Sequence, residues 1–326
     1  MDFFDVVDAD FSGVISIKQN GRHIFQHASG YADMSNKFAN EINTKFQTAS
    51  AGKVFIATAI LSLIEKGIIK FDSAIGDILS FDLKDIDTQI TVGQLLNHTS
   101  GIPDYFDESM MHDYEELWKN LPNYSIRKSS DLIPFFIDKP MLYPKGERFQ
   151  YNNTGYVVLG LIIEEIEKIP FDTYIEKYIF RPCDMTATGY YELDRLPAKC
   201  AFSYIYDKER NDYRTNIFSI DAKGSGAGGA FTTAADVETF WECLISGKLI
   251  SIEMLGLMLA PQVKENCYGY GVWLLDGKIP VFQGCDPGTN FFTSYNLEKH
   301  LSITILSNMD CNVEAMHKKL YDLIMP

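Results

Sequence analysis

The stretch Phe46-Gln47-Thr48-Ala49-Ser50-Ala51-Gly52-Lys53 runs directly into Val54-Phe55-Ile56-Ala57-Thr58-Ala59-Ile60-Leu61-Ser62-Leu63-Ile64-Glu65-Lys66-Gly67. The second half is apolar on nearly all sides, which marks a buried helix, and Gly67 supplies its stop. Ser50 falls at the helix start and Lys53 three residues on, so the two share a face and the hydroxyl and amine can meet. A serine hydroxyl is a poor nucleophile until a base takes its proton. A lysine serves as that base once burial disfavours its charged form. The helix N-terminus also turns backbone N–H groups towards negative charge developing near Ser50. Taken alone, Ser-x-x-Lys is common in long chains, and a serine at a helix start is usually a cap. The pair needs partners elsewhere in the chain.

The chain has 326 residues, enough for one large domain or two interleaved ones. Hydrophobic residues make up 46% and charged residues 22%, the balance of a soluble globular protein. A net charge of −15 argues against a nucleic-acid partner and against docking on an anionic membrane. The longest apolar runs, 54–64 and 156–163, are too short to span a bilayer. Met1-Asp2-Phe3-Phe4-Asp5 carries neither a basic segment nor a long apolar one, so a cytoplasmic protein without a secretory leader is expected. Six scattered cysteines without a Cys-x-x-Cys pair fit free thiols in a reducing compartment. The histidines offer no zinc-ligand spacing, and no metal is expected.

Alternating residues 12–18 and 23–28 flank Gln19-Asn20-Gly21-Arg22, a hairpin signal. Thr91 caps a short helix over 92–98. Residues 108–139 read as one or two helices, residues 156–169 as a buried helix stopped by Pro170, and about 172–180 as a further helix. Residues 197–222 read as irregular strand and loop. Thr233 with Asp236 resembles a capping box for a helix to Ile245. Strands are expected over 268–275, 278–282, 290–297 and 300–306, then a helix over about 313–323. Strands at both ends and helices between them give an α+β sandwich. An antiparallel sheet built from both chain ends is flanked by helices, with a helical lobe inserted. The expected division is 1–75 together with 215–326 for the α/β part and 76–214 for the mostly helical part.

Two further segments carry chemistry-bearing residues. Tyr151-Asn152-Asn153 precedes the 156–169 helix, where Asn153 can cap. Gln283-Gly284-Cys285-Asp286-Pro287-Gly288 closes a strand. Gly224, Gly226 and Gly229 satisfy Gly-x-Gly-x-x-Gly, but no convincing strand precedes them and no parallel βαβ follows, so a dinucleotide site is rejected. His98, in a short polar turn, reads as structural.

With these residues in hand, the chain resembles the serine β-lactamase and penicillin-binding-protein superfamily, nearest its class C branch with the related esterases and D-aminopeptidases. The resemblance covers nearly the whole chain in order. Ser50 and Lys53 match the Ser-x-x-Lys motif, and Tyr151 with Asn153 matches Tyr-x-Asn. Residues 95–105, beginning Leu-Leu-Asn-His-Thr-Ser-Gly, match the family's turn, and residues 227–236 match its glycine loop. The resemblance implies an acyl-enzyme on Ser50, with Lys53 and Tyr151 both open as the base and Asn153 orienting Lys53. It implies an oxyanion held by the N–H groups of Ser50 and Cys285, an acyl substrate that is a small molecule or peptide-derived, and no cofactor.

One position departs. Gly284 with Pro287-Gly288 sets the register of the third motif, which places Gln283 in its middle and Phe282 where the family has Lys or His. A phenyl ring cannot bind a substrate carboxylate, so neutral esters or amides are expected over carboxylate-bearing ones. The oxyanion donors, being backbone groups, survive. A catalytically weak or inactive penicillin-binding-like binder and a D,D-peptidase stand as the alternatives.

Overall fold

The computed structural model describes residues 2–111, 113–263 and 267–325. Its frame is a six-stranded antiparallel sheet. From one edge to the other its strands are Arg22–Ser29, Gly13–Gln19, Leu301–Ser307, Thr289–Asn296, Ile279–Asp286 and Trp273–Leu275. The first two form the expected hairpin. Asn20 and Gly21 both take positive φ (51° and 76°), which an Asn-Gly pair tolerates and which matches the twist of the flanking strands. The two chain ends meet in the middle of the sheet, with Gly13 opposite Ser307 and Gln19 opposite Leu301.

Side-chain alternation divides the core into two. On one face Ile15, Ile17, Ile303 and Ile305 pack with Met316 and Leu320 of the Val313–Ile324 helix. On the other, Val14, Phe282, Phe291 and Leu306 join a large cluster that includes Phe240 and Trp241 of the Ala234–Ile245 helix. Covered on both faces, Leu301–Ser307 is buried along its whole length.

The Lys53–Glu65 helix is enclosed in that larger cluster, with every residue from Lys53 to Leu63 buried. Its Phe55 ring meets Phe180 and Phe240 edge-on, at 4.9 and 5.0 Å between centroids. Gly67 ends the segment at φ 70°. The Asn153–Glu167 helix lies beside it, ended by Lys168 in the left-handed conformation.

Several local expectations are corrected. In place of helices, residues 108–139 hold three short 3₁₀ segments, Tyr114–Lys119, Asn123–Ser125 and Ser129–Phe135; His112 lies outside the described residues. Pro122 and Pro134 break the helical hydrogen-bond ladder. Asn123 instead donates from Nδ2 to the carbonyls of Ile217 and Ile220, each at 2.7 Å, so tertiary contacts shape the segment. The helix expected over 172–180 is α-helical only at Phe171–Ile175 and continues as a π-turn over Glu176–Phe180. The strand expected over 268–275 shrinks to Trp273–Leu275, because Gly271 turns the chain at φ 79°. Thr233 caps its helix by accepting from the Asp236 N–H at 3.2 Å. The Asp236 carboxylate does not complete the box; it accepts from Ala187 N and Thr188 Oγ1.

Candidate active site

Ser50 does not stand in the first turn of the helix. It sits in a 3₁₀ turn, Ala49–Gly52, that leads into the helix at Lys53. Ala49 takes φ 45°, an uncommon conformation for a residue with a side chain, and this sets the half-buried Ser50 at the rim of a cavity. The strand Ile279–Asp286 runs against this turn. A Cβ at Gly284 would lie 2.4 Å from Thr48 O and 2.6 Å from Ser50 N, so only glycine lets the Cys285 peptide come alongside Ser50. Gly284→Ala is therefore expected to push strand and turn apart and to slow acylation by about a hundredfold, as displacements of about 1 Å do. Pre-steady-state acylation measured with an activated ester checks this.

The buried Lys53 is held at three points. Its Nζ donates to Ser50 Oγ at 2.9 Å, Asn153 Oδ1 at 2.8 Å and Ala227 O at 2.6 Å. Burial pushes its pKa down to about 8 against the pull of Glu108, Asp286 and Asp104. Once it is neutral, two N–H bonds suffice for Asn153 and Ala227, and the lone pair faces the Ser50 hydroxyl.

The glycine-rich loop explains itself here. Gly228 N–H bonds to Ser225 O, Gly229 N–H bonds to Ala49 O at 3.1 Å, and a Cβ at Gly226 would fall 2.1 Å from Tyr156 O. The glycines thread the loop between the Ser50 turn and the neighbouring helix and so bring Ala227 O to Lys53.

Tyr151 and Asn153 arrive from the other side. Asn152, not Asn153, caps the helix, its Oδ1 accepting from Gly155 N at 2.7 Å. Asn153 is thereby freed to receive Lys53 on Oδ1 while its Nδ2 donates to Phe106 O and Glu108 Oε1. The buried Asp104 carboxylate fixes this helix end, accepting from Asn153 N at 2.8 Å and Thr154 N at 3.0 Å. Burial raises the Asp104 pKa to about 6 even so.

The Tyr151 ring lies 4.5 Å from His98 and stacks on Trp273 at 6.0 Å, with Lys53 Nζ 5.0 Å from its centroid. Burial first, then the negative charge of Glu108, holds the Tyr151 hydroxyl well above pH 10, while contact with Ser50 pulls the other way. Burial thus favours the neutral phenol form of Tyr151. His98 is structural as expected, but it does not serve its own turn. Its Nδ1 accepts from Asn152 N, which leaves Nε2 to donate to Tyr268 Oη at 3.1 Å, so it ties down the approach to Tyr151. Burial keeps the ring neutral.

Phe282 borders the small space beside Ser50, Lys53 and Tyr151. Its ring is buried and stacks on Trp241 at 4.0 Å with the planes 9° apart. Among the described residues around Ser50, Tyr151, Gln283 and Phe282, the one cationic side chain is Lys53. Ser50 lies where two cavities meet. One, about 430 Å³, is lined by Asn153, Cys285, Glu108, Asp221 and Asp286; the other, about 820 Å³, by Tyr151, Trp273 and Gln283. No three described His, Cys, Asp or Glu side chains are placed to ligate one metal ion.

A beta-lactamase family model matches residues 7–322. The chain belongs to the beta-lactamase family. A penicillin-binding protein from Bacillus halodurans superposes with a TM-score of 0.94 at 33% identity, over 99% of this chain and 100% of that one. PbpX of Bacillus subtilis (strain 168) is 28% identical over 318 residues, 96% of this chain and 75% of PbpX. The D-amino acid amidase of Ochrobactrum anthropi SV3 shares the fold alone, with a TM-score of 0.80 at 21% identity over 98% and 96% of the two chains. The antiparallel sheet with its flanking helices is thus the beta-lactamase family's fold, and relatives of that fold include hydrolases. Among the described residues, no helix of this family member is long and apolar enough to cross a membrane.

Sequence reasoning passed over Asp104, Glu108 and Trp273. Asp104 lies inside the quoted 95–105 turn, and its acidity next to an apolar stretch was the available signal. Trp273 gave none.

Proposed function

We propose that this protein is a serine acyl hydrolase that works through an acyl-enzyme on Ser50. The observation that carries the reading is a buried amine, with its pKa lowered to about 8, placed 2.9 Å from the Ser50 hydroxyl. Neutral Lys53 takes the Ser50 proton as Oγ forms a bond to the substrate carbonyl carbon. The backbone N–H groups of Ser50 and Cys285 receive the oxyanion. Tyr151, a phenol rather than a phenolate in the resting enzyme, gives its proton to the leaving group and recovers one from Lys53. Water, activated by the same pair, then cleaves the acyl-enzyme. Asn153 positions Lys53.

The family's position for a substrate-binding cation holds Phe282, which supports neutral esters or amides over carboxylate-bearing ones. The names of the structural relatives, an amidase among them and a hydrolase with promiscuous acyltransferase activity, are in keeping with acyl chemistry. Phe282 also motivates a second reading, a binder that acylates without turning over.

Intact-mass spectrometry after incubation with a fluorophosphonate and with a penicillin tests both. A Ser50 adduct is expected with at least the fluorophosphonate. A penicilloyl adduct that persists for hours would favour the binder, since a phosphonyl adduct persists under either reading, and no adduct with either probe overturns the proposal.

A further inference from the structure

Gln47 stands three residues before Ser50 and has no task in the mechanism above. It lies on the short strand Phe46–Gln47, which pairs with Phe231–Thr232. Only 4% of it is exposed, yet it lines the cavity of about 430 Å³ beside Ser50. A buried side-chain amide normally has partners at both its oxygen and its nitrogen. Here one end alone is engaged. Gln47 Oε1 accepts from Asn216 Nδ2 at 3.0 Å and meets the hydroxyls of Thr289 and Ser203 at 3.0 and 3.3 Å. Asn216 Nδ2 also donates to Pro287 O at 3.1 Å, so it is a nitrogen, and the Gln47 atom that faces it is the oxygen. Gln47 Nε2 is left without an acceptor among the described residues.

The direction of that free N–H follows from its neighbours. None of Ser203, Asn216 and Thr289 lines the cavity, so the oxygen points into the protein. The nitrogen, on the other branch of the amide, points into the cavity. Other polar side chains of the lining are engaged. The Asn153 amide is bound at both ends, by Lys53 and by Phe106 O and Glu108, and Lys223 Nζ is held by Asp172. An N–H fixed in place without an acceptor costs free energy that an incoming acceptor recovers.

The charge of the wall narrows the acceptor. Glu108, Asp221, Asp286 and Asp310 also line the cavity. Burial pushes Asp221 and Asp286 up to about 7, so above that pH the wall is anionic. It repels a carboxylate and leaves an uncharged oxygen undisturbed.

We propose that Gln47 Nε2 is a substrate-binding donor that selects acyl portions carrying an uncharged acceptor oxygen beyond the reacting carbonyl. This deepens the serine-hydrolase reading of Ser50 and rests on it. The acyl side follows from the two cavities. Tyr151, which serves the leaving group, lines the larger cavity and not this one, so the acyl chain lies on the Gln47 side.

The test compares nitrophenyl esters of one acyl chain length. One chain is all methylene, a set of others carries an ether oxygen at successive positions, and a last one ends in a carboxylate. Nitrophenol release gives the acylation rate, and each rate is divided by that of the same ester with hydroxide, which removes differences in intrinsic reactivity. At pH 8 the wild-type protein should favour at least one ether ester over the methylene ester by about tenfold, the worth of one hydrogen bond to an otherwise unpaired donor, with the carboxylate ester slowest. Gln47→Glu keeps an acceptor for Asn216, Thr289 and Ser203 and removes the donor, so the ether-to-methylene ratio should fall to one or below. Gln47→Met cannot donate in any protonation state and should lose the preference as well. A merely structural role would slow all the esters alike and leave the ratio unmoved. Circular dichroism checks both variants, and should neither fold, the wild-type series decides alone. Release without an ether preference at any position, or a preference unchanged in a folded variant, overturns the role of Gln47 and leaves the hydrolase in place. Absence of release from every ester overturns this inference, and absence of a Ser50 adduct with the fluorophosphonate as well overturns the hydrolase reading with it.

Discussion

Replacing Ser50 with alanine is expected to lower turnover of an activated ester by on the order of a hundred-thousandfold, with substrate binding little changed. The reason is that the hydroxyl and its base act as one unit, so losing either removes nearly the whole covalent route. Ser50 Oγ has a single side-chain donor, Lys53, and stands half-buried at a cavity rim, so its loss should disturb the fold by no more than about 1 kcal/mol. Steady-state kinetics, intact mass and a thermal melt on the same preparation separate the two effects. Activity within tenfold of the wild type, or an acyl adduct on another residue, would remove Ser50 from the mechanism.

The second large effect is at Lys53. Lys53→Met keeps the length of the side chain and removes the amine, and acylation should fall by roughly a thousandfold or more. The wild-type acylation rate should rise with pH through about 8 as Lys53 loses its proton, and this limb should be missing in the variant. Stability carries an independent sign. The folded-state pKa, about 8, lies below the usual 10.5 of lysine, so between these values the unfolded chain binds more protons. The contribution of Lys53 to stability is therefore fully present above about 10.5 and is lost as pH falls through about 8. Urea midpoints of wild type and Lys53→Met should diverge in favour of the wild type across that window. A pH profile flat from 6 to 10 in the wild type would show that Lys53 is not the base.

Much of this architecture could be read from residue patterns. Period-two alternation located the sheet, and the unbroken apolar run after Ser50 located the central helix. Motif order along the chain supplied the remaining framework. The reading failed where distant parts of the chain decide local form. Residues 108–139 have helix-like composition, but Asn123 spends its amide on carbonyls of residues 217 and 220, and two prolines settle the matter. Asn152 rather than Asn153 caps its helix because the helix already begins at Asn153, whose side-chain carbonyl receives Lys53, a hundred residues away. Neither the stacking of Phe282 on Trp241 nor that of Trp273 on Tyr151 leaves a trace in local sequence, since each joins a strand residue to a partner far along the chain. The carboxylates of the Ser50 cavity were equally hidden. Asp221 and Asp286 are ordinary surface-type residues in the sequence, and only the fold brings them to one wall.

The pairing of Gly13–Gln19 with Leu301–Ser307 has a consequence for biogenesis. During synthesis the Arg22–Ser29 and Gly13–Gln19 hairpin must wait, with one long edge unsatisfied, until residues 301–307 have left the ribosome. Contacts of such high sequence separation make folding slow and expose sticky intermediates. The Gly284 strand that completes the Ser50 turn also emerges late. A nascent chain stalled before about residue 280 holds Ser50, Lys53 and Tyr151 but lacks the strand that runs against the Ser50 turn, so under the proposed mechanism it is expected to be inactive.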